Sequence, residues 1–307
     1  MKKLFCTLLS AALLLSLVCC GEQEKQGEGV SFTDDRGRSV TVGSEDRIAA
    51  CHASFADCWL LAGGTLVGVT EDAVADHGLS VGDAAIIGTA KTVHTEALAA
   101  SGATVALLSA DLTAHLELEP VLESLGIRTA YFRVDTFSDY ASVMERFCSV
   151  TGRQDLYDLH VTAVGERIEG IRARIPTGDA RTVLLIRAYS SGIKAKSDDN
   201  LAGLILKEFG LSNLADASPS LLENMSLEHI VSANPDTILV MTMGNEEAAL
   251  KYLSETLEQN PAFTALDAVK EGRYRVLPKE LFHYKPNEHW DQSYEYLAKL
   301  FYPSVFS

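Results

Sequence analysis

The side chains best suited to chemistry in this sequence are histidines, basic residues and aromatics. In the segment LFHYKPNEHWDQ, His283, Tyr284 and His289 fall close together. Imidazole and phenolate both ligate iron. His283 and His289 stand six apart across Lys285-Pro286-Asn287, which is no standard metal spacing. His52, far away in sequence, is a second imidazole that could oppose His283 across a metal. The basic residues Arg187, Lys194, Lys196, Lys285, Arg133 and Lys91 stand out because the chain has a formal charge of −16. Gathered in one cleft, they would favour an anionic ligand, and arginine suits carboxylates because its fork donates two parallel hydrogen bonds. The sequence holds no GxSxG elbow, no phosphate-cradling GxxxxGKS or GxxxxGKT, no GxGxxG after a strand and no HExxH. An enzyme is therefore not expected.

The start of the chain carries covalent chemistry of another kind. Lys2 and Lys3 precede an uncharged, mostly apolar run from Leu4 to Val18. That run is short for a membrane-spanning helix and suits a secretory signal over 1–19. It ends in Leu17-Val18-Cys19-Cys20-Gly21, which resembles a bacterial lipobox. Cys20 is the expected lipid acceptor, with Cys19 left open as the alternative. Residues 20–30 read as a flexible tether. A lipid anchor would hold a water-soluble domain at the outer face of the cell membrane.

Composition narrows the remainder. The 307 residues are 47% hydrophobic, enough for packed cores. Removal of 1–19 leaves 24 basic residues against 42 acidic, near −18. Such a surface argues against nucleic acid as a partner. Cys51, Cys58 and Cys148 make neither a disulfide framework nor a zinc site, and Cys51 and Cys58 could pair only if their geometry allows. They read as buried apolar residues.

Positioning these groups requires a scaffold. FTDDRGRSVTV alternates about Asp34-Asp35-Arg36-Gly37 as a β-hairpin. A strand Arg47–Cys51 leads to a helix Phe55–Ala62, with Ser54 and Asp57 as its capping pair. Short strands then alternate with helices, which predicts a parallel sheet covered on both faces. From Ser138 to Ile175 the rhythm gives way to a long helical stretch, nicked at Thr151-Gly152, with Val164, Ile168, Ile171 and Ile175 on one face. Alternation then resumes to the end. The expected architecture is α/β, with two Rossmann-like lobes of mostly parallel sheet joined by one long helix. Its spans are 31–137, 138–176 and 177–307. EALAASGATVALL, from Glu96, overlies EHIVSANPDTILV, from Glu228, without a gap, so the lobes are expected to share a design.

The opening hairpin, RIAACHASFADCWLLAGG, LVGVT, the two echoing segments and NPAFTALDAVKEGRYRVLPKELF occur in this order. In order and spacing they resemble the substrate-binding lipoproteins of ABC importers, within the class whose lobes are bridged by a single helix. That class binds iron-siderophores, haem and cobalamin. Ala103-Thr104 stands where the family has Pro-Asp, and Ala53 where it has a proline. The resemblance implies that Glu96 and Glu228 dock onto arginines of a permease served by ATPase subunits. The alternative role for each is to complement its helix dipole.

The fold implies a cleft lined by loops at the carboxyl ends of the strands. In the first lobe these are His52-Ala53-Ser54-Phe55, Thr70-Glu71-Asp72, Ala90-Lys91-Thr92, Ser109-Ala110-Asp111 and Arg133. In the second they are Arg187-Ala188-Tyr189, Ser190 to Lys196, Met241 to Gly244 including Met243, and Phe282 to Trp290. Tyr189, Phe55, Phe282 and Trp290 are expected to stack on a bulky ligand. The expectation is a monomeric extracytoplasmic lipoprotein with no cofactor of its own. It would capture a ferric siderophore, with haem or cobalamin as alternatives. A carrier of bare zinc or manganese is the other reading, with His52 and His283 as ligands.

Overall fold

The structure, a computed structural model, describes residues 29–217, 220–223 and 225–306. Cys20, the signal 1–19 and most of the tether lie outside them. Strands Gly29–Thr33 and Ser39–Gly43 form the opening antiparallel hairpin, with Phe32 opposite Val40. Gly29 and Val30, expected in the tether, therefore belong to the first strand, opposite Gly43 and Val42.

The first lobe is a five-stranded parallel sheet in the order 85–86, 66–69, 48–50, 105–109, 128–132. The second is built on Thr182–Tyr189, flanked by the parallel strand Thr237–Thr242, which in turn pairs with Tyr274–Val276. Gly192–Ala195 folds back antiparallel on the edge, and Ser212–Asn213 pairs at the other end of the lead strand. The central strands VALLS and TILVMT are buried along their whole length, as continuous apolar runs in a sheet covered on both faces must be.

The echo between the lobes is structural. The helices Thr95–Ala100 and Leu227–Ala233 each feed the strand beside the lobe's lead strand. Both helices end on a left-handed residue at the same offset, Gly102 at φ +74 and Asn234 at φ +41. Two residues later, Thr104 Oγ1 accepts from the Arg47 amide at 2.9 Å, and Asp236 Oδ2 accepts from the Thr182 amide at 2.8 Å. Each acceptor anchors the start of a lead strand. Thr104 thus serves where the family pattern has aspartate.

The expected single helix over 138–176 is two helices. Phe137–Thr151 opens with a reciprocal Thr136–Asp139 capping box and closes on Gly152 at φ +71. Gln154 to Arg172 then runs on through a wider turn at Asp158–Thr162 and packs along the closing helix Trp290–Phe301. Left-handed Gly152 is what the nick at Thr151-Gly152 encodes.

Among the described residues, three apolar clusters form the core. One lies behind the second lobe's sheet and one behind the first's. The third is shared: Phe132 and Val105 of the first lobe, Phe147 and Val164 of the linking helices, and Leu239 and Trp290 of the second form one continuous core. Separating the lobes along this seam would expose apolar surface at about 25 cal/mol per Å². The cluster therefore favours modest lobe motion. Cys51, Cys58 and Cys148 are buried free thiols, so Cys51 and Cys58 do not pair. Burial pushes the Cys51 thiol up to about 12 and that of Cys148 to about 11.

Candidate functional site

The carboxyl ends of both parallel sheets face the seam between the lobes, and polar side chains gather there. The ring of His77, from the first lobe, lies 4.3 Å from that of Tyr284, from the second. Lys279 Nζ sits 4.9 Å from the centroid of the same Tyr284 ring, and the His283 ring lies 4.7 Å from it, centroid to centroid.

His283 is the best-defined group. Its Nε2 accepts from the Gly244 amide at 3.2 Å, so in the neutral ring the proton sits on Nδ1. Burial, then the nearby charges of Lys279 and Arg187, push its pKa down to about 4. The ring is neutral at pH 7, and its Nδ1–H is a buried donor without a partner. Arg187, near enough to bias that titration, also keeps its Nε–H buried and unpartnered. Two donors of the second lobe, Arg187 Nε–H and His283 Nδ1–H, are thus buried without a partner. Lys194 lies directly opposite Arg187 in the antiparallel pair and shares its face of the sheet. Tyr189, two residues on from Arg187, is half-buried on the same face. Met243, half-buried, ties the loop after the adjacent strand to the Ala188 carbonyl through its amide.

This arrangement corrects the expected metal ligation. His283 Nε2 is occupied by an amide and Nδ1 carries the proton. His52 Nδ1 accepts from the Ser54 amide at 3.3 Å, placing that proton on Nε2. Neither ring offers a metal a free lone pair. Among the described residues, no three His, Cys, Asp or Glu side chains converge as a metal-holding group.

His52 is also the N-cap of the first helix, which spans Ala53–Leu61. Ser54 and Asp57 were expected to cap it. Ser54 is instead buried inside its first turn, and Asp57 turns to Asn287 of the second lobe.

Several expected ligand contacts are structural. Phe55 is 1% exposed and packs on Phe132, with ring centroids 5.7 Å apart. Trp290 is 2% exposed and meets Phe137 edge-on, and Phe282 is buried against Tyr296. All three belong to the shared core that joins the lobes. Lys285 donates to the Val134 carbonyl and lies 3.6 Å from Asp135, so it ties the lobes together. Arg133 pairs with Asp111 at the rim. Lys91 is exposed in a tight turn, and Lys196 pairs with Asp199. Glu96 and Glu228 are both exposed at the second position of their helices, equivalent points on the two lobes.

The sequence reading missed His77 and Lys279, and it named Thr70 and Asp72 only as part of a loop. It named Asn287 too only as part of a loop, and the buried amide of that residue donates to Asp57 and to the Ser54 carbonyl across the seam. Its one local signal is a left-handed backbone, φ +46, which asparagine tolerates better than most residues.

Comparison with known proteins agrees with this architecture. The periplasmic binding protein family profile matches residues 48–281. The Fe(3+)-citrate-binding protein YfmC of Bacillus subtilis (strain 168) is 24% identical over 289 residues, covering 87% of each chain. The structure of the siderophore binding protein BauB, bound to two acinetobactin molecules and ferric iron, superposes with a TM-score of 0.71. Its identity is 15%, over 89% of this chain and 99% of that one. S. aureus IsdE complexed with heme gives a TM-score of 0.66 at 17% identity, over 84% of this chain and 100% of that one.

Proposed function

We propose, for a chain that belongs to the periplasmic binding protein family, that it captures an anionic ferric complex between its lobes and delivers it to an ABC permease. The chain is a binding protein, not an enzyme. The observation that carries the ligand class is the pair of buried, unpartnered donors, Arg187 Nε–H and His283 Nδ1–H. Left empty, each costs about 1–3 kcal/mol, and an oxyanion from the ligand would recover it. Carboxylate or catecholate oxygens around a ferric ion supply such an acceptor. The name of the citrate-binding relative supports a ferric carboxylate complex. A carrier of bare zinc or manganese gains no support from His52 and His283, whose lone pairs are engaged or protonated.

In this reading no catalysis is required. The complex enters the seam, and the shared core restrains lobe motion. Glu96 and Glu228, fixed at equivalent points, meet basic pockets of the permease, whose ATPase subunits drive release. Cys20 would hold the protein to the outer face of the membrane through lipid. The test is a calorimetric titration of the purified protein with ferric citrate, ferrioxamine B, haemin and cobalamin, with zinc and manganese salts as controls. Saturable binding of a ferric complex supports the reading, and binding of a bare metal alone overturns it.

A further inference from the structure

At one point the two lobes meet through a pair of rings. His77, of the first lobe, lies 4.3 Å from Tyr284, of the second, centroid to centroid, with the ring planes 41° apart. Both side chains are half-buried. Rings at this separation are in van der Waals contact, with no room for a bound molecule between them. Tyr284 also meets the His283 ring at 4.7 Å, so three rings run in series from the first lobe to a buried donor of the second. Charge favours the same contact. Lys279, whose Nζ lies 4.9 Å from the Tyr284 centroid, is close enough to Asp76 of the first lobe for that carboxylate to help raise its pKa. Burial lowers the His77 pKa against the pull of Asp57, Asp72 and Asp76, so a neutral imidazole faces Tyr284 at pH 7.

The backbone on either side of the contact is pinned. The His77 amide donates to the Asp72 carbonyl at 3.0 Å, and Leu79 and Val81 pack on the shared core. Tyr284 stands between buried Phe282 and Lys285, whose ammonium donates to the Val134 carbonyl of the first lobe. Asn287 ties the same segment to Asp57 and Ser54. Parting the lobes here would break these bonds and expose the shared core to water. Turning two side chains about their own bonds does neither.

We propose that His77 and Tyr284 form a side-chain gate across the seam: the rings swing apart to admit the complex to Arg187 and His283, and meet again behind it. This rests on the capture function proposed above and adds the route by which the complex enters. A gate shut both before and after binding slows entry and exit together, and so acts on the rates more than on the affinity. A residue that merely gripped the complex would act chiefly on its release.

The test is stopped-flow fluorescence of the purified protein at pH 7.5 with ferric citrate, ferrioxamine B, haemin and cobalamin. Wild type is compared with His77→Ala, Tyr284→Ala, the double variant and His77→Phe, and thermal melts confirm that each is folded. For every complex that binds, His77→Ala and Tyr284→Ala should each raise kon and koff together by about tenfold, with Kd moving by less than either rate. The double variant should resemble the single ones, because all three remove one contact. His77→Phe keeps a ring opposite Tyr284 and should stay near the wild-type rates. If an alanine variant does not fold, His77→Leu, which fills the space without a ring, is judged by the same criterion. Rates within twofold of wild type, a rise in koff alone, or single effects that multiply in the double variant overturn the gate and leave the capture function standing. Silence of the wild type toward all four complexes overturns the capture function and the gate with it.

Discussion

The side-chain amide of Asn287, in the second lobe, donates to the Asp57 carboxylate of the first at 2.6 Å and to the Ser54 carbonyl at 3.1 Å. The contact spans most of the chain and joins the lobes from within. Burial pushes the Asp57 carboxyl up, and the Asn287 hydrogen bond partly opposes that shift. Asn287→Ala would remove both bonds and leave a buried acid without its donor. The expected loss is about 2–4 kcal/mol of unfolding free energy. Asn287→Gly, which relieves the left-handed backbone, should recover only part of it. Urea unfolding of both variants checks this, and wild-type stability in Asn287→Ala would remove the clasp from the account.

Acid should weaken the fold. Burial drives His52 and His283 down to about 4, and it lowers His77 and His115 as well. In the unfolded chain a histidine takes its proton near pH 6.5. Stability from these four groups is therefore fully present above that pH. It is lost as pH falls from about 6.5 toward 4, because the unfolded state binds protons first. Asp57, with its raised pKa, works in the opposite direction at the lower end of this window. Thermal melts between pH 7.5 and 4.5 should show Tm falling by several degrees. Replacing His115 by Gln should flatten part of that fall, and a Tm constant over the window would contradict the sign.

Glu96 and Glu228 occupy matching, exposed helix positions on the two lobes. The double variant Glu96→Ala, Glu228→Ala should bind the ferric complex with wild-type affinity and lose most of its transport. Uptake of radioactive iron in cells, set beside calorimetry on the purified variant, separates the two effects. Normal uptake would return both residues to the role of complementing helix dipoles.

Thr104 and Asp236 anchor the lead strands of their lobes in the same way. Thr104→Val should cost about 1–2 kcal/mol by leaving the Arg47 amide without its acceptor. Thr104→Asp should cost less, since the equivalent position in the other lobe already uses aspartate. Chemical unfolding of the two variants ranks them, and the reverse order would break the equivalence.

The sheets were legible because strands buried on both faces leave continuous apolar runs, as in VALLS and TILVMT. The echo was legible because Gly102 and Asn234 mark the same left-handed helix end. The break at Gly152 was visible as a nick, but a single glycine does not tell a kink from a complete stop. The site was less legible. Phe55, Phe282 and Trp290 lie in the end turns of helices and are buried in the shared core, and sequence reports their type without the direction in which the backbone points them. Arg187 could be placed from the end of its strand. The proton on His283 Nδ1 could not, because it is set by the Gly244 amide. Asn287 was hidden for the same reason, since its partners at 54 and 57 are distant in the chain.

The grip on an oxyanion by Arg187 and His283 is the centre of the account, and Arg187→Gln tests it most directly. Wild type and variant are titrated calorimetrically with ferric citrate, and thermal melts confirm that both are folded. Arg187→Gln is expected to weaken binding by about 100-fold without lowering Tm, because the lost bond exists only with ligand present. Equal affinity in the two proteins would contradict it.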